Sequence, residues 1–317
     1  MQENIPSKQL HYRKGGPSLN KPGRLLSRAL NKVLQNPYVL IAPAVILASL
    51  FSVYPILFAV KVSFMNWDVV TGEQSFAGLD NYRSIFADPD AIQVLKNTLI
   101  YAFFTVCFGL VFAVAIGILL QKSTFLTNLV QSVIFTPHIV SFVSVTIMWM
   151  WLLDPQMGIV NYLLKMLGFE PQLWMMGPKT SLLSIVIVSI WKGIGFSAML
   201  VIAGLQGIPK YIYEAAKLDR SGRWSTLFRI TIPLLSPTLF FMLITSTIGA
   251  FSSFDVVNLM TGGGPQGSSN LIVHWIYQIG FLKFQLGKAM AASVLFLILI
   301  GFISLMNFMF FSKKVHY

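Results

Sequence analysis

Six long runs of apolar residues constrain this chain more than anything else in it: 38–60, 97–120, 129–153, 181–205, 237–257 and 290–311. Coiled as an α-helix, about 20 such residues match the hydrocarbon thickness of a bilayer. Backbone N–H and C=O groups in lipid must find partners inside the protein, so helices are expected and open strands are not. Composition supports a lipid solvent. Of 317 residues, 55% are hydrophobic and 11% are charged, against about 25% charged in an ordinary soluble domain. The expected fold class is an all-α membrane protein with six transmembrane helices, one membrane domain over 38–311. Pro43, Pro55 and Pro137 fall inside runs and are expected to kink or loosen them. Residues 91–96 extend the second helix beyond the bilayer.

The formal charge of +12 raises nucleic acid as a partner, but the location of the charge points elsewhere. Lys8, Arg13, Lys14, Lys21, Arg24, Arg28 and Lys32 crowd the N-terminal tail (1–37), and no basic stretch carries the aromatics that stack on single strands. No nucleic-acid binding is expected. If the N-terminus is cytoplasmic, Lys and Arg number 15 on the inner segments, including 312–317, and 7 on the outer ones. That bias predicts N-in/C-in. The tail is too long and polar for an ordinary signal peptide, so the first run reads as a retained signal-anchor. Cys107 is the sole cysteine, and His11, His138, His274 and His316 are scattered. No metal site, disulfide or cofactor is expected.

Among the outer segments, 61–96 carries Asp68, Glu73, Asp80, Asp88 and Asp90; 154–180 predicts a short amphipathic helix over 160–167; and 261–270, TGGGPQGSSN, reads as a flexible turn. The inner segment 206–236 is longer. Pro209 suits a first helical turn, and Glu214, Ala215, Ala216 and Lys217 are strong helix formers. Ile208, Ile212, Ala215, Ala216 and Leu218 are expected on one apolar side. A second short helix follows over 224–230, and Pro233 is expected to limit its continuation. Two short helices between spans form a knob able to pass force from a soluble partner, or simply an interfacial anchor.

The run Glu214-Ala215-Ala216, then Asp219, Ile230 and Pro233, resembles the EAA loop of binding-protein-dependent ABC importer permeases, whose pattern is E-A-A, three residues, G, nine residues, I-x-L-P. Arg220 stands at the family glycine and Ile232 at the leucine, with Gly222 nearby to supply the turn. Residues 76–82 (FAGLDNY), 203–209 (AGLQGIP) and 261–265 (TGGGP) resemble further stretches of the MalF-like sugar branch, carbohydrate uptake transporter-1. The resemblance implies a chain that is not itself an enzyme, in a bacterial inner membrane, paired with a second six-helix permease. Its further implied partners are two copies of a cytoplasmic ATPase, an extracytoplasmic solute-binding protein and a sugar. The implied ATPase-coupling residues are Glu214, Ala215, Ala216, Asp219, Arg220, Gly222, Ile230 and Pro233.

Polar residues inside spans are costly and tend to face a cavity or another helix. Ser189, Lys192, Gly193 and Phe196 share one face of the fourth run, Ser246, Ala250 and Ser253 one face of the fifth, and His138 follows Pro137 in the third. His138, Ser189, Lys192, Gly193, Phe196, Ser246 and Ser253 are the substrate-path candidates; the serines serve equally as interhelical hydrogen-bonders. Asp255 is weighed as a partner for Lys192 but looks offset along the axis. An ion-coupled secondary transporter would need carboxylates within spans, and only Asp255, near an end, is present. An intramembrane enzyme would need a clustered nucleophile and base or a metal set. Neither rival accounts for 206–236.

Overall fold

The computed structural model describes residues 36–67 and 71–311. The basic tail as far as position 35, Asp68, His316 and the C-terminal segment 312–317 lie outside the described residues. The chain divides into two compact units, 1–57 and 58–317.

In the first unit, Asn36 caps helix α1 (Pro37–Ala48) by accepting a hydrogen bond from the Tyr38 amide, and Pro37 occupies the first turn, where no N–H is needed. The helix runs through Pro43 and then widens into a π turn, Ser49–Val53, before continuing as α2 (Tyr54–Ser63). Pro55 has no N–H to offer the Phe51 carbonyl, so the ladder loosens in the preceding turn. Large apolar side chains such as Tyr38, Phe51 and Leu57 are exposed.

The second unit takes in the end of α2 from Phe58 and then a small hairpin absent from the sequence reading: β1 (Met65–Trp67) pairs antiparallel with β2 (Gln74–Phe76), Met65 opposite Phe76. Helix α3 (Asp80–Phe86) supports it, because the Asn81 side-chain amide donates to the Ser63 and Met65 carbonyls at 2.9 Å each. Helix α4 (Pro89–Leu120) includes the expected extension over 91–96 and begins two residues before it, with Asp88 accepting from the Asp90 amide as its cap. Then come α5 (Phe125–Ile139), α6 (Phe142–Leu152), α7 (Ile159–Met166), α8 (Ser181–Gln206), α9 (Lys210–Leu218), α10 (Arg223–Thr226), a π turn (Leu227–Thr231), α11 (Ile232–Leu234), α12 (Ser236–Phe251), α13 (Asp255–Met260), α14 (Ile272–Tyr277), another π turn (Gln278–Leu282) and α15 (Leu286–Phe311).

Among the described residues, four helices are each long and apolar enough to cross a membrane: Pro37–Ser63, α4, α8 and α15. Two bent pairs bring the number to six if each counts as one span. The third run is therefore not one straight helix. It stops at Ile139, restarts at Phe142 and turns by 102°. Pro137 withdraws a donor from the last turn of α5, and Val140 and Ser141 take extended backbone. The fifth run also departs from expectation. Helical backbone continues from Arg223 to Leu234 through Pro233, bends 66° into α12, and ends at Phe251 rather than 257. A π turn just before Pro233 accommodates the missing donor, so the proline does not stop the helix.

Helices α4 and α8 lie side by side in the same direction, with Tyr101 beside Ser189 and Gly117 against Val201. Their contact forms the spine of the unit, built from Tyr101, Val106, Ile185 and Val188 on one level and Ala113, Val201 and Leu205 on another. The 261–270 segment is a correction. Its glycines suggest flexibility, yet Ser269 is fully buried, its hydroxyl donating to the Gly264 carbonyl at 2.6 Å and lying 2.8 Å from Thr261 Oγ1. The Asn97 amide ties the loop to α4 through the Gly267 carbonyl (2.8 Å) and the Asn270 carbonyl (3.2 Å). Here Gly262, Gly263 and Gly267 supply positive φ to a pinned loop.

Candidate functional site

Helices α4, α5, α6, α8 and α12 surround a cavity of about 290 Å³. Its position follows from close backbone approaches. A Cβ on Gly195 would lie 2.0 Å from the Ile134 carbonyl oxygen, so only glycine lets α8 meet α5 here, while Gly193 and Gly249 face open space. Of the substrate-path candidates, His138, Ser189, Lys192, Gly193, Ser246 and Ser253 all line the cavity. Phe196 does not line it; its ring stacks on His138, with centroids 4.5 Å apart and planes 11° from parallel.

Lys192 is held by the break after α5. Its ammonium donates to the Pro137 carbonyl at 3.0 Å and the Val140 carbonyl at 2.8 Å, with its Nζ 5.1 Å from the centre of the Phe142 ring. A helix C-terminus leaves carbonyls without internal donors and carries partial negative charge, so a cation is well placed there. Asp255 has no part in holding Lys192; it opens α13.

Tyr101 is the residue the sequence reading missed. Fully buried, it donates to Ser189 Oγ at 2.7 Å and shares a 3.0 Å hydrogen bond with Ser253 Oγ, joining α4, α8 and the segment just past the end of α12 at one level. For these two serines the interhelical role is therefore real, alongside their place in the lining. A signal was present: Tyr101, Thr105 and Gly109 recur every four residues and all three line the cavity.

At the end of α8 away from Ser181 sits the second region, α9 to α11. Ala216 is buried, and Ile208, Ile212 and Tyr213 pack with Ala113, Leu205, Leu235 and Met242. Contrary to the expectation from sequence, Ala215 and Leu218 do not belong to this buried side; both are exposed, Leu218 at 84%. Helical geometry turns them past the edge of the contact, beside exposed Glu214. The helix closes with two capping bonds, Ser221 amide to Ala216 carbonyl (2.9 Å) and Arg220 amide to Lys217 carbonyl (3.0 Å), with Asp219 as C-cap. That motif requires a left-handed residue, usually glycine. Arg220 itself supplies it, at φ +52°. Gly222 does not make the turn; at φ −68° it precedes α10. Ile230 lies in the π turn and Pro233 in α11. Tyr211, Leu218, Trp224 and Phe228 are exposed, the last two stacked at 6.1 Å.

The family described as binding-protein-dependent transport system inner membrane component matches residues 96–316, a stretch holding both regions. The chain belongs to that family. This permease is 34% identical over 256 residues (80% of its length, 83% of the relative) to the sulfoquinovosyl glycerol transport system permease protein SmoG of Agrobacterium fabrum. It is 32% identical over 287 residues (89% and 97%) to the probable ABC transporter permease protein YurN of Bacillus subtilis. To the sn-glycerol-3-phosphate transport system permease protein UgpA of Pectobacterium atrosepticum it is 28% identical over 284 residues (89% and 95%). Its fold resembles a chain of a bacterial ABC transporter involved in the import of the acidic polysaccharide alginate, at TM-score 0.79 and 23% identity, covering 92% of this chain and 99% of that one. The permease is thus a multi-pass inner-membrane component of an ABC import system.

Proposed function

We propose that this permease forms one half of the translocation path for a sugar or sugar derivative, the other half being a second six-helix permease, with the path passing through the Tyr101–Lys192 cavity. Two copies of a cytoplasmic ATPase drive it by gripping the α9–α11 knob, Glu214 foremost, with Ala215, Ala216, Asp219, Arg220, Gly222, Ile230 and Pro233 shaping the grip. In this reading the knob and both termini are cytoplasmic, and an external solute-binding protein delivers cargo to the opposite end, near 261–270. His138, Ser189, Lys192, Gly193, Ser246 and Ser253 contact the cargo, and Phe196 backs His138.

The observation that carries the reading is a hydroxyl-lined hollow between helices in a member of this transport family, at one level of the bundle, with a knob of exposed aromatics beneath it. A polyhydroxylated molecule suits a lining of seryl, threonyl, tyrosyl and imidazole groups. Sulfoquinovosyl glycerol and sn-glycerol 3-phosphate, named for two relatives, are such molecules.

Replacing Glu214 with Lys tests the coupling role. Substrate uptake and transport-linked ATP hydrolysis should both collapse while the permease remains in the membrane at wild-type abundance. Unchanged uptake would remove the α9 knob from the mechanism.

A further inference from the structure

The charge inside the cavity narrows the cargo further. Among the described residues that line it, Lys192 is the one charged side chain; the rest are hydroxyls, His138 and apolar or glycine positions. No carboxylate stands among them to neutralise the ammonium. The Pro137 and Val140 carbonyls that accept from Lys192 are dipoles without net charge. They fix its position, but they leave a whole positive charge in a region between membrane helices, where such charges are costly and mark the path of a ligand or ion. Two of the three ammonium donors are used on those carbonyls, leaving one.

An arrangement of this kind discriminates. A neutral sugar could bond the seryl and tyrosyl hydroxyls, but against the cation it would offer only a neutral hydroxyl oxygen in place of the water it displaces, with little net gain. An oxyanion on the same polyol would accept the remaining donor in a charge-assisted bond, and would meet no carboxylate to repel it. We infer that the cavity selects an anionic polyol, a sugar or glycerol derivative carrying a phosphate, sulfonate or carboxylate, with Lys192 as the residue that recognises the charge. The inference rests on the reading of this cavity as the substrate path.

The test uses the complete transporter in nanodiscs without its binding protein, so that the preference measured is that of the membrane domain. Saturation-transfer NMR reads the affinity of two pairs that differ in charge: glucuronate against glucose, and sn-glycerol 3-phosphate against glycerol. The anionic member of each pair should bind about tenfold or more tightly. Lys192→Met should bring the pairs to parity, and Lys192→Arg should preserve the preference. Lys192→Gln, which keeps donors for the two carbonyls without the charge, gives the same parity and serves if the methionine variant fails to assemble. Equal binding of charged and neutral probes to the wild type, or a preference that survives Lys192→Gln, overturns the inference while leaving the cavity as a sugar path. Failure of all four probes to bind the wild type overturns that path, and the inference with it.

Discussion

Gly195→Ala adds one methyl group, and its consequence can be worked from the contact between α8 and α5. The new Cβ would stand 2.0 Å from the Ile134 oxygen, 2.6 Å from its carbonyl carbon and 2.9 Å from Phe135 Cα, where ordinary contact begins at 3.4 Å. All three obstacles are backbone, so no rotamer change relieves them; the helices must separate by about 1 Å or more. Overpacking of this sort costs roughly 1–3 kcal/mol. The same separation stretches the Lys192 bonds of 2.8 and 3.0 Å, and a bond to a charged group contributes about 1.5–3 kcal/mol. The alanine recovers about 1 kcal/mol of helix propensity, leaving a net loss of roughly 1.5–5 kcal/mol. Gly193→Ala is the internal control, since a Cβ there meets nothing within 4 Å, and propensity alone should make it neutral or slightly stabilising. Thermal unfolding of the purified transporter should show Gly195→Ala lowered by roughly 5–10 °C, with uptake reduced, and Gly193→Ala unmoved or raised. Equal melting of the two variants would refute the claim that close approach at Gly195 positions the cavity.

Two further outcomes follow from local geometry. Arg220→Gly removes the penalty of a left-handed arginine, about 1–2 kcal/mol, against the greater chain entropy of glycine, so the transporter should gain about 0.5–1 kcal/mol in thermal unfolding; a loss would mean that the arginine side chain holds something the turn needs. At the α4 N-terminus, Asp88 meets Lys288 at 2.7 Å. Partial burial pushes the Asp88 carboxyl up, but the Lys288 hydrogen bond, the Asp90 amide and the charges of Lys288 and Lys283 outweigh it and hold it below 3.8. A lowered carboxylate contributes stability that is complete above the unfolded value and fades as pH falls through the folded one. Asp88→Asn keeps the cap and removes the charge, so its melting temperature should fall less than that of the wild type between about pH 5 and pH 2; parallel curves would refute the linkage.

Much of this permease was legible along the chain because membrane constraints are local. Run length and the Glu214-Ala215-Ala216 spacing each depend on neighbours a few residues apart, and Ser189, Lys192 and Gly193 share a face through helical periodicity alone. Other features depend on what a neighbouring element does. Only the fold could bring the carbonyls of Pro137 and Val140 to Lys192, since that required the break after Ile139 and an α8 glycine permitting contact. Tyr101 became part of the site because α8 and the segment just past α12 supplied Ser189 and Ser253. The glycine-rich 261–270 segment became fixed because Asn97, some 170 residues earlier, bonds its carbonyls. Arg220 in a glycine's conformation is the reverse case: the capping bonds impose the backbone shape, and the side chain is carried along. Periodicity tells which face a residue occupies, whereas the partner on the other side of that face belongs to tertiary structure.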